Sequence, residues 1–207
     1  AKVFVHLSSV KAMGEESERV LNEESPSAPK SNYGISKLES EEVVRNETNG
    51  KRMSSVILRL PMVYGPGNKG NIPRMIRWAE SGYPFPVLHP ENLRSMVYVE
   101  NVVAGIIAIL KSFPQRNATY ILKDREDYST RKIYDAICNA LGKKPRYFPV
   151  PSLAVRAGGW LSEDLRKITG SFRVSSAKFE EDLRFTPPFS LEEGVGKTVE
   201  WYKRSAR

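Results

Sequence analysis

Two short, nearly unbroken apolar runs flank a helix-capable segment, and this order limits the fold more than any other feature of the sequence. Val3–Leu7 (VFVHL, then Ser8 and Ser9) and Ser54–Leu60 (SSVILRL) are of strand length and lack clean polar alternation. Such runs suit parallel strands buried on both faces. Between them, Ser31 and Asn32 are good helix N-caps and Asn49-Gly50 is a natural stop. A helix is therefore expected from near Tyr33 to about Thr48, with Ile35, Leu38, Val43 and Val44 on its buried side. Strand, helix, strand predicts a parallel crossover and an α/β fold. Ligands of open parallel sheets lie beyond the carboxyl ends of the strands. Ser8 and Ser9, and the turn-rich exit Pro61–Gly67, are expected to face that crevice.

The expected helix places Tyr33 and Lys37 four residues apart on one face. An ammonium beside a phenol favours the phenolate, which suits a tyrosine to acid–base work. The alternative is a half-buried aromatic beside a solvated lysine. A second Tyr-x-x-x-Lys, Tyr128 to Lys132, serves as an internal control. There Ser129 is the expected N-cap, which leaves Tyr128 outside the helix and the two side chains with no need to meet.

Further along, Lys11–Lys30 reads as an acidic, polar surface loop, and helices are expected over Ile72–Ser81 and from Ser129 to Leu141. Pro84, Pro86 and Pro90 mark an irregular stretch. Arg94 precedes a short strand, Ser95–Val99. The stripe Val99, Val102, Val103, Ile106, Ile107 and Leu110 has helical spacing and reads as core. Thr119–Leu122 reads as a strand. Helical patterns over Ser175–Leu183 and Leu191–Lys203 flank a loop at Thr186–Phe189.

The chain has 207 residues and a formal charge of +8, with its basic residues spread along the whole length. With no basic-aromatic stripe or zinc spacing, that charge suits a phosphate-bearing small molecule better than nucleic acid. No run approaches the roughly 18 apolar residues of a membrane span. The first ten residues show no basic stretch or cleavage site of a signal peptide. The lone Cys138 has no disulfide partner, and neither His6 nor His89 clusters with it, so no metal site is expected and a reducing, cytoplasmic location is.

Four stretches, LSSVKAMG, YGISK, LRLPMVYGPGNKGN and LRSMVYVENV, together with the ending FTPPFSLEEG and TVEWY, occur in this order. Their order and spacing resemble the extended short-chain dehydrogenase/reductase family, in particular its NAD-dependent nucleotide-sugar epimerases of the UDP-glucose 4-epimerase-like branch. The resemblance implies the C-terminal part of a Rossmann-type parallel sheet over residues 1–66. It implies a smaller α/β domain for the nucleotide sugar over 67–207, with some segments packing back. The glycine-rich turn that holds the cofactor pyrophosphate in that family does not occur in these residues, so the chain is expected to match the C-terminal two thirds of such an enzyme.

The resemblance also implies roles. Tyr33 would be the acid–base, Lys37 would bind the nicotinamide ribose, and Ser9 would hydrogen-bond the reacting sugar oxygen. Ser8, Pro61 and Met62 would line the NAD site, Met62 standing where many epimerases have asparagine. Asn71, Arg94 and Arg173 would hold the nucleotide diphosphate, against simpler readings of Asn71 as an N-cap and Arg94 as a surface cation. The implied activity is epimerisation at C4 of a UDP-hexose. The alternatives are reduction of a UDP-4-keto-deoxy sugar and a non-catalytic sugar-nucleotide-binding fragment. Val10-Lys11 after Ser9 argues against dehydration, since dehydratases of the family place acidic residues there. A homo-oligomer, or association through an exposed first strand, is expected.

Overall fold

A computed structural model describes residues 2–87, 92–112, 117–149 and 171–205. His89 and Pro90 lie outside the described residues. In chain order the elements are β1 (Val3–Ser9), a 3-10 turn (Val10–Ala12), α1 (Asn32–Thr48), β2 (Ser54–Leu60), β3 (Met62–Tyr64), α2 (Asn71–Ser81), β4 (Phe85–Val87), β5 (Arg94–Tyr98) and α3 (Val99–Ser112). These are followed by β6 (Ala118–Ile121), β7 (Asp127–Tyr128), α4 (Thr130–Leu141), β8 (Tyr147–Pro149), α5 (Ala177–Leu183) and α6 (Leu191–Ser205). The chain forms two compact units. The first comprises Ala1–Val63, Ser95–Glu126 and Phe172–Phe189, and the second Tyr64–Arg94, Asp127–Ser171 and Ser190–Arg207.

The first unit is built on a parallel sheet of order β1-β2-β6, the expected crossover with α1 between β1 and β2. The central strand β2 alternates between two environments, because successive side chains face opposite sides. Val56, Leu58 and Leu60 join Val97, Val102, Ile109, Tyr120, Leu122 and Phe179 in an apolar core. Ser55 and Arg59 turn the other way, where Ser55 Oγ lies 2.9 Å from Thr48 Oγ1 and Arg59 reaches Glu41. That polar surface decides which face of α1 is inward. Ile35 and Val43, expected inside, are exposed, while Gly34, Glu41 and Thr48 are buried.

Three other expectations give way in this unit. β1 is not covered on both faces: Phe4 and Leu7, on opposite faces of the strand, are 42% and 44% exposed, and among the described residues β1 pairs only with β2. On α3, Val102, Gly105 and Ile109 face inward while Val103, Ile107 and Leu110 are exposed. The expected stripe thus divides between two faces. Gly105 makes the close approach possible, since a Cβ there would lie 2.5 Å from Leu122 Cδ2. The segment after Ser9 is not all surface loop: Val10, Ala12 and Met13 are buried, and Leu21 bridges Val174 in parallel.

In the second unit α4 packs against α2 and α6. Phe85 stacks on Tyr134 with centroids 4.3 Å apart and meets the edge of Trp78 at 6.1 Å. The stretch expected to be irregular therefore contains a strand, β4, paired in parallel with β8. Both α2 and α4 end on left-handed glycines, Gly82 and Gly142. Among the described residues no helix is long and apolar enough to cross a membrane.

Candidate active site

The site begins at the carboxyl ends of β1 and β2, where Ser9 is in register with Leu60, the residue before Pro61. Ser9 is half-buried and caps the 3-10 turn, its Oγ accepting the Lys11 backbone N–H at 3.2 Å. The hydroxyl hydrogen of Ser9 is left to donate elsewhere. Pro61 is buried and Met62 half-buried.

Across from β1, Ser31 caps α1 by accepting the Gly34 N–H at 3.1 Å. Ser31 is held in turn by Glu15, which accepts the backbone N–H groups of Lys30 and Ser31 at 3.0 Å each and, more closely, the Ser31 hydroxyl. Burial raises the Glu15 carboxyl, but these hydrogen bonds and the charge of Lys11 outweigh it and leave the group below its ordinary value. Gly34 lets this loop lie directly on the helix. A Cβ there would meet Lys11 O at 2.5 Å, Glu15 Oε1 at 2.9 Å and Pro29 Cβ at 2.9 Å.

Tyr33 is 52% exposed in this arrangement. Lys37 Nζ lies 6.0 Å from its ring centroid and Lys11 Nζ 5.8 Å. Lys37 also donates to Leu7 O at 3.2 Å, which ties the helix to β1. Ser9, Tyr33 and Lys37 thus belong to one cluster of the first unit, joined through Lys11 and the end of β1. Lys11 is the member that sequence reasoning used only to argue against dehydration. Its signal was its position, two residues after the serine that ends β1.

The control pair behaves unexpectedly. Lys132 Nζ lies 5.4 Å from the Tyr128 ring centroid, so those side chains do meet although Tyr128 is in β7, outside the helix. Burial separates the two pairs. Tyr128 is 3% exposed and inaccessible to a substrate, whereas Tyr33 is open.

Ser8 does not share the direction of Ser9. It is buried, and its Oγ donates to Glu41 Oε1 at 2.6 Å. The expectation that both serines face one crevice fails because adjacent strand residues face opposite sides. Glu41 further accepts Arg59 Nε at 2.9 Å, Arg59 Nη2 at 2.8 Å and Arg45 Nη2 at 2.9 Å. Burial alone would raise the Glu41 carboxyl. Arg59, Ser8 and Arg45 together hold it below its ordinary value. His6, alongside, is lowered by burial and by the charge of Lys37, and its Nε2 lies 3.0 Å from Ser40 Oγ.

The remaining candidates are placed as follows. Asn71 is the first residue of α2, whose N-cap is Gly70 with no side-chain cap bond, so Asn71 is not spent as a cap. Arg94, in the same second unit, begins β5 half-buried, and burial lowers its guanidinium. Arg173 is in the first unit and half-buried, its carbonyl accepting the Leu21 N–H at 3.0 Å.

Known proteins resemble this chain in sequence and in fold. The NAD dependent epimerase/dehydratase family model matches residues 1–122. The chain is 31% identical to the UDP-glucose 4-epimerase of Vibrio cholerae over 205 residues, covering 96% of this chain and 62% of that protein. It is 26% identical to the dTDP-glucose 4,6-dehydratase of Neisseria gonorrhoeae, covering 96% of this chain and 59% of that one. The chain therefore spans about three fifths of the length of these curated relatives. Among solved structures, the UDP-glucuronic acid 4-epimerase of Bacillus cereus in complex with NAD superposes with a TM-score of 0.77 at 20% identity, covering 99% of this chain and 62% of that one. The UDP-glucose 4-epimerase of Thermotoga maritima with UDP-glucose gives 0.75 at 23%, covering 100% and 65%. The α/β fold with its parallel sheet is thus the Rossmann-like fold of these structures. With the family model spanning more than half of its length, the chain belongs to the NAD dependent epimerase/dehydratase family.

Proposed function

We propose that the whole protein interconverts the C4 epimers of a UDP-hexose with NAD, using Tyr33 as acid–base. The observation that carries this reading is the open Tyr33 with Lys37 and Lys11 near its ring, in the same cluster as Ser9 at the end of β1. The donor set fits the nicotinamide end of a dinucleotide. An ammonium has three donors, and Lys37 directs one to Leu7 O, which leaves others for ribose hydroxyls. Pro61 and Met62, just past the end of β2, provide an apolar flank. When bound, NAD supplies reversible hydride transfer at the sugar carbon.

The residues of the chain do the rest. Tyr33 Oη takes the proton from the C4 hydroxyl and returns it to the oxygen after the sugar has turned over. Ser9 donates to that oxygen and fixes its position. In the second unit, the same reading assigns Asn71 and Arg94 to the nucleotide diphosphate. Arg94 is a half-buried guanidinium with no acidic partner among the described residues. Arg173 is assigned a further diphosphate contact.

The test is turnover of UDP-glucose and UDP-galactose by the full-length protein, with the epimers separated chromatographically. Tyr33→Phe should lower kcat by about 10² to 10⁴-fold with nucleotide binding kept. A Tyr33→Phe protein within a few-fold of the parent overturns the assignment. Stoichiometric consumption of NADH on a UDP-4-keto-deoxy sugar, without epimerisation, would establish the reductase instead.

A further inference from the structure

The ridge Tyr33, Lys37, Glu41 descends one face of α1 in steps of one turn. It passes from a residue 52% exposed at Tyr33 to one fully buried at Glu41. Its two inner members grip consecutive residues of β1: Lys37 Nζ donates to Leu7 O at 3.2 Å, and Glu41 Oε1 accepts Ser8 Oγ at 2.6 Å. The next residue of β1 is Ser9. Arg59 is the register partner of Ser8 on β2, and it offers Nε and Nη2 to the same carboxylate at 2.9 and 2.8 Å. Arg45 supplies a further donor to Glu41 Oε2 at 2.9 Å. Each Glu41 oxygen therefore accepts two hydrogen bonds, and a single buried carboxylate fastens α1 to β1 and β2.

We propose that Glu41, acting through Ser8, is a positioning residue that fixes the carboxyl end of β1 against α1, so that Ser9 is held in place relative to Tyr33 and Lys37. The inference rests on the function proposed above. It assigns Ser8 to the scaffold, in place of the cofactor contact that the family resemblance implies. The arrangement suits positioning better than mere adhesion. The Glu41–Arg59 pair already joins α1 to β2, and the Ser8 hydroxyl adds a link to the strand that carries Ser9, one residue beyond that of Lys37 to Leu7 O. Hydrogen bonds to charged groups are the stronger, shorter kind, and misplacement of a reacting group by about 1 Å can cost on the order of 10²-fold in rate.

Ser8→Ala is the discriminating variant, because it cuts this link and leaves the Glu41–Arg59 and Glu41–Arg45 pairs intact. In the full-length protein we expect kcat on UDP-hexose to fall by about 10- to 100-fold, with KM within about two-fold and the thermal midpoint lowered by a few degrees, so that the protein stays folded at the assay temperature. Ser8→Thr, which keeps the hydroxyl, should recover most of the rate. Independently of turnover, amide exchange at Ser9 and Lys11 should quicken in Ser8→Ala while β2 stays protected. An unchanged kcat, a loss of rate that merely follows a loss of folded protein, or unaltered exchange at Ser9 and Lys11 overturns the proposal. A parent protein that turns over no UDP-hexose overturns the function proposed above, and the exchange measurement then decides by itself whether Ser8 clamps β1.

Discussion

Glu41→Gln should be the most damaging isosteric change in the first unit. Glu41 and Arg59 have side-chain exposures of 0% and 5%, with 2.8 Å between Glu41 Oε2 and Arg59 Nη2. Gln keeps one oxygen but turns an amide N–H₂ toward Arg59 or Arg45, and it leaves the buried Arg59 cation with only the charge of Glu23, to which it makes no hydrogen bond. Arg59 Nη1 already has no hydrogen-bond partner, so the guanidinium depends on Glu41 for its hydrogen bonds. Breaking a buried pair on one side costs about 3–5 kcal/mol, a large share of the roughly 5–15 kcal/mol that holds a domain folded. The pH dependence follows from the lowered Glu41 carboxyl. A carboxyl depressed by folding contributes stability that is complete above the unfolded value of 4.5 and is lost as pH falls through the folded value. Urea denaturation of the parent and Glu41→Gln should therefore show a gap of about 3 kcal/mol or more at pH 7 that narrows on acidification below pH 4.5. The double change Glu41→Met with Arg59→Met should recover most of the loss. A gap below about 1 kcal/mol, or one independent of pH, would refute the reasoning.

Arg94→Ala in the full-length protein should weaken UDP binding by about tenfold or more, as expected for loss of a hydrogen bond to a charged group; an unchanged dissociation constant by calorimetry returns Arg94 to the reading as a surface cation. Gly105→Ala should destabilise by about 1–3 kcal/mol through overpacking, because its Cβ would sit 2.5 Å from Leu122 Cδ2 and 3.3 Å from Phe179 Cζ; a thermal midpoint equal to the parent's would mean that α3 shifts freely. Residues 1–207 alone should pair with a second copy through the edge of β1, where Phe4 and Leu7 are exposed. Phe4→Lys should then lower the association seen by light scattering, and a monodisperse parent at all concentrations would dismiss the edge as an interface.

The crossover was legible in the sequence because its signals are local. The apolar run Ser54–Leu60 is β2 with the expected bounds, and Ser31 and Ser129 take the expected capping roles. What was not legible depends on partners distant in sequence. Val43 looks like a core residue until Arg59 and Ser55 are known to face α1, and a helix meeting a polar surface must present Glu41 and Thr48 instead. The α3 stripe has the right period for core, yet Leu122 and Phe179 lie against Gly105 while Val103, Ile107 and Leu110 are exposed. β4 was hidden because Pro84 and Pro86 punctuate it, although a short edge strand accommodates proline.

The two Tyr-x-x-x-Lys pairs show why spacing alone does not identify an active site. Both bring an ammonium to within about 6 Å of a phenol ring, a distance at which a cation and a ring face attract. Proximity therefore follows whether the tyrosine opens a helix, as Tyr33 does, or precedes it in a strand, as Tyr128 does. The difference arises from what surrounds each ring. Tyr128 is closed off in its unit, whereas at Tyr33 the absence of a side chain on Gly34 lets Lys11 and Glu15 lie against the helix, placing a second ammonium beside an open phenol. Gly34 thus bears on the site as directly as Lys37 does. A side chain there would displace Lys11 and Glu15, and the Ser31 cap that Glu15 supports, while leaving the proposed acid–base Tyr33 itself unaltered.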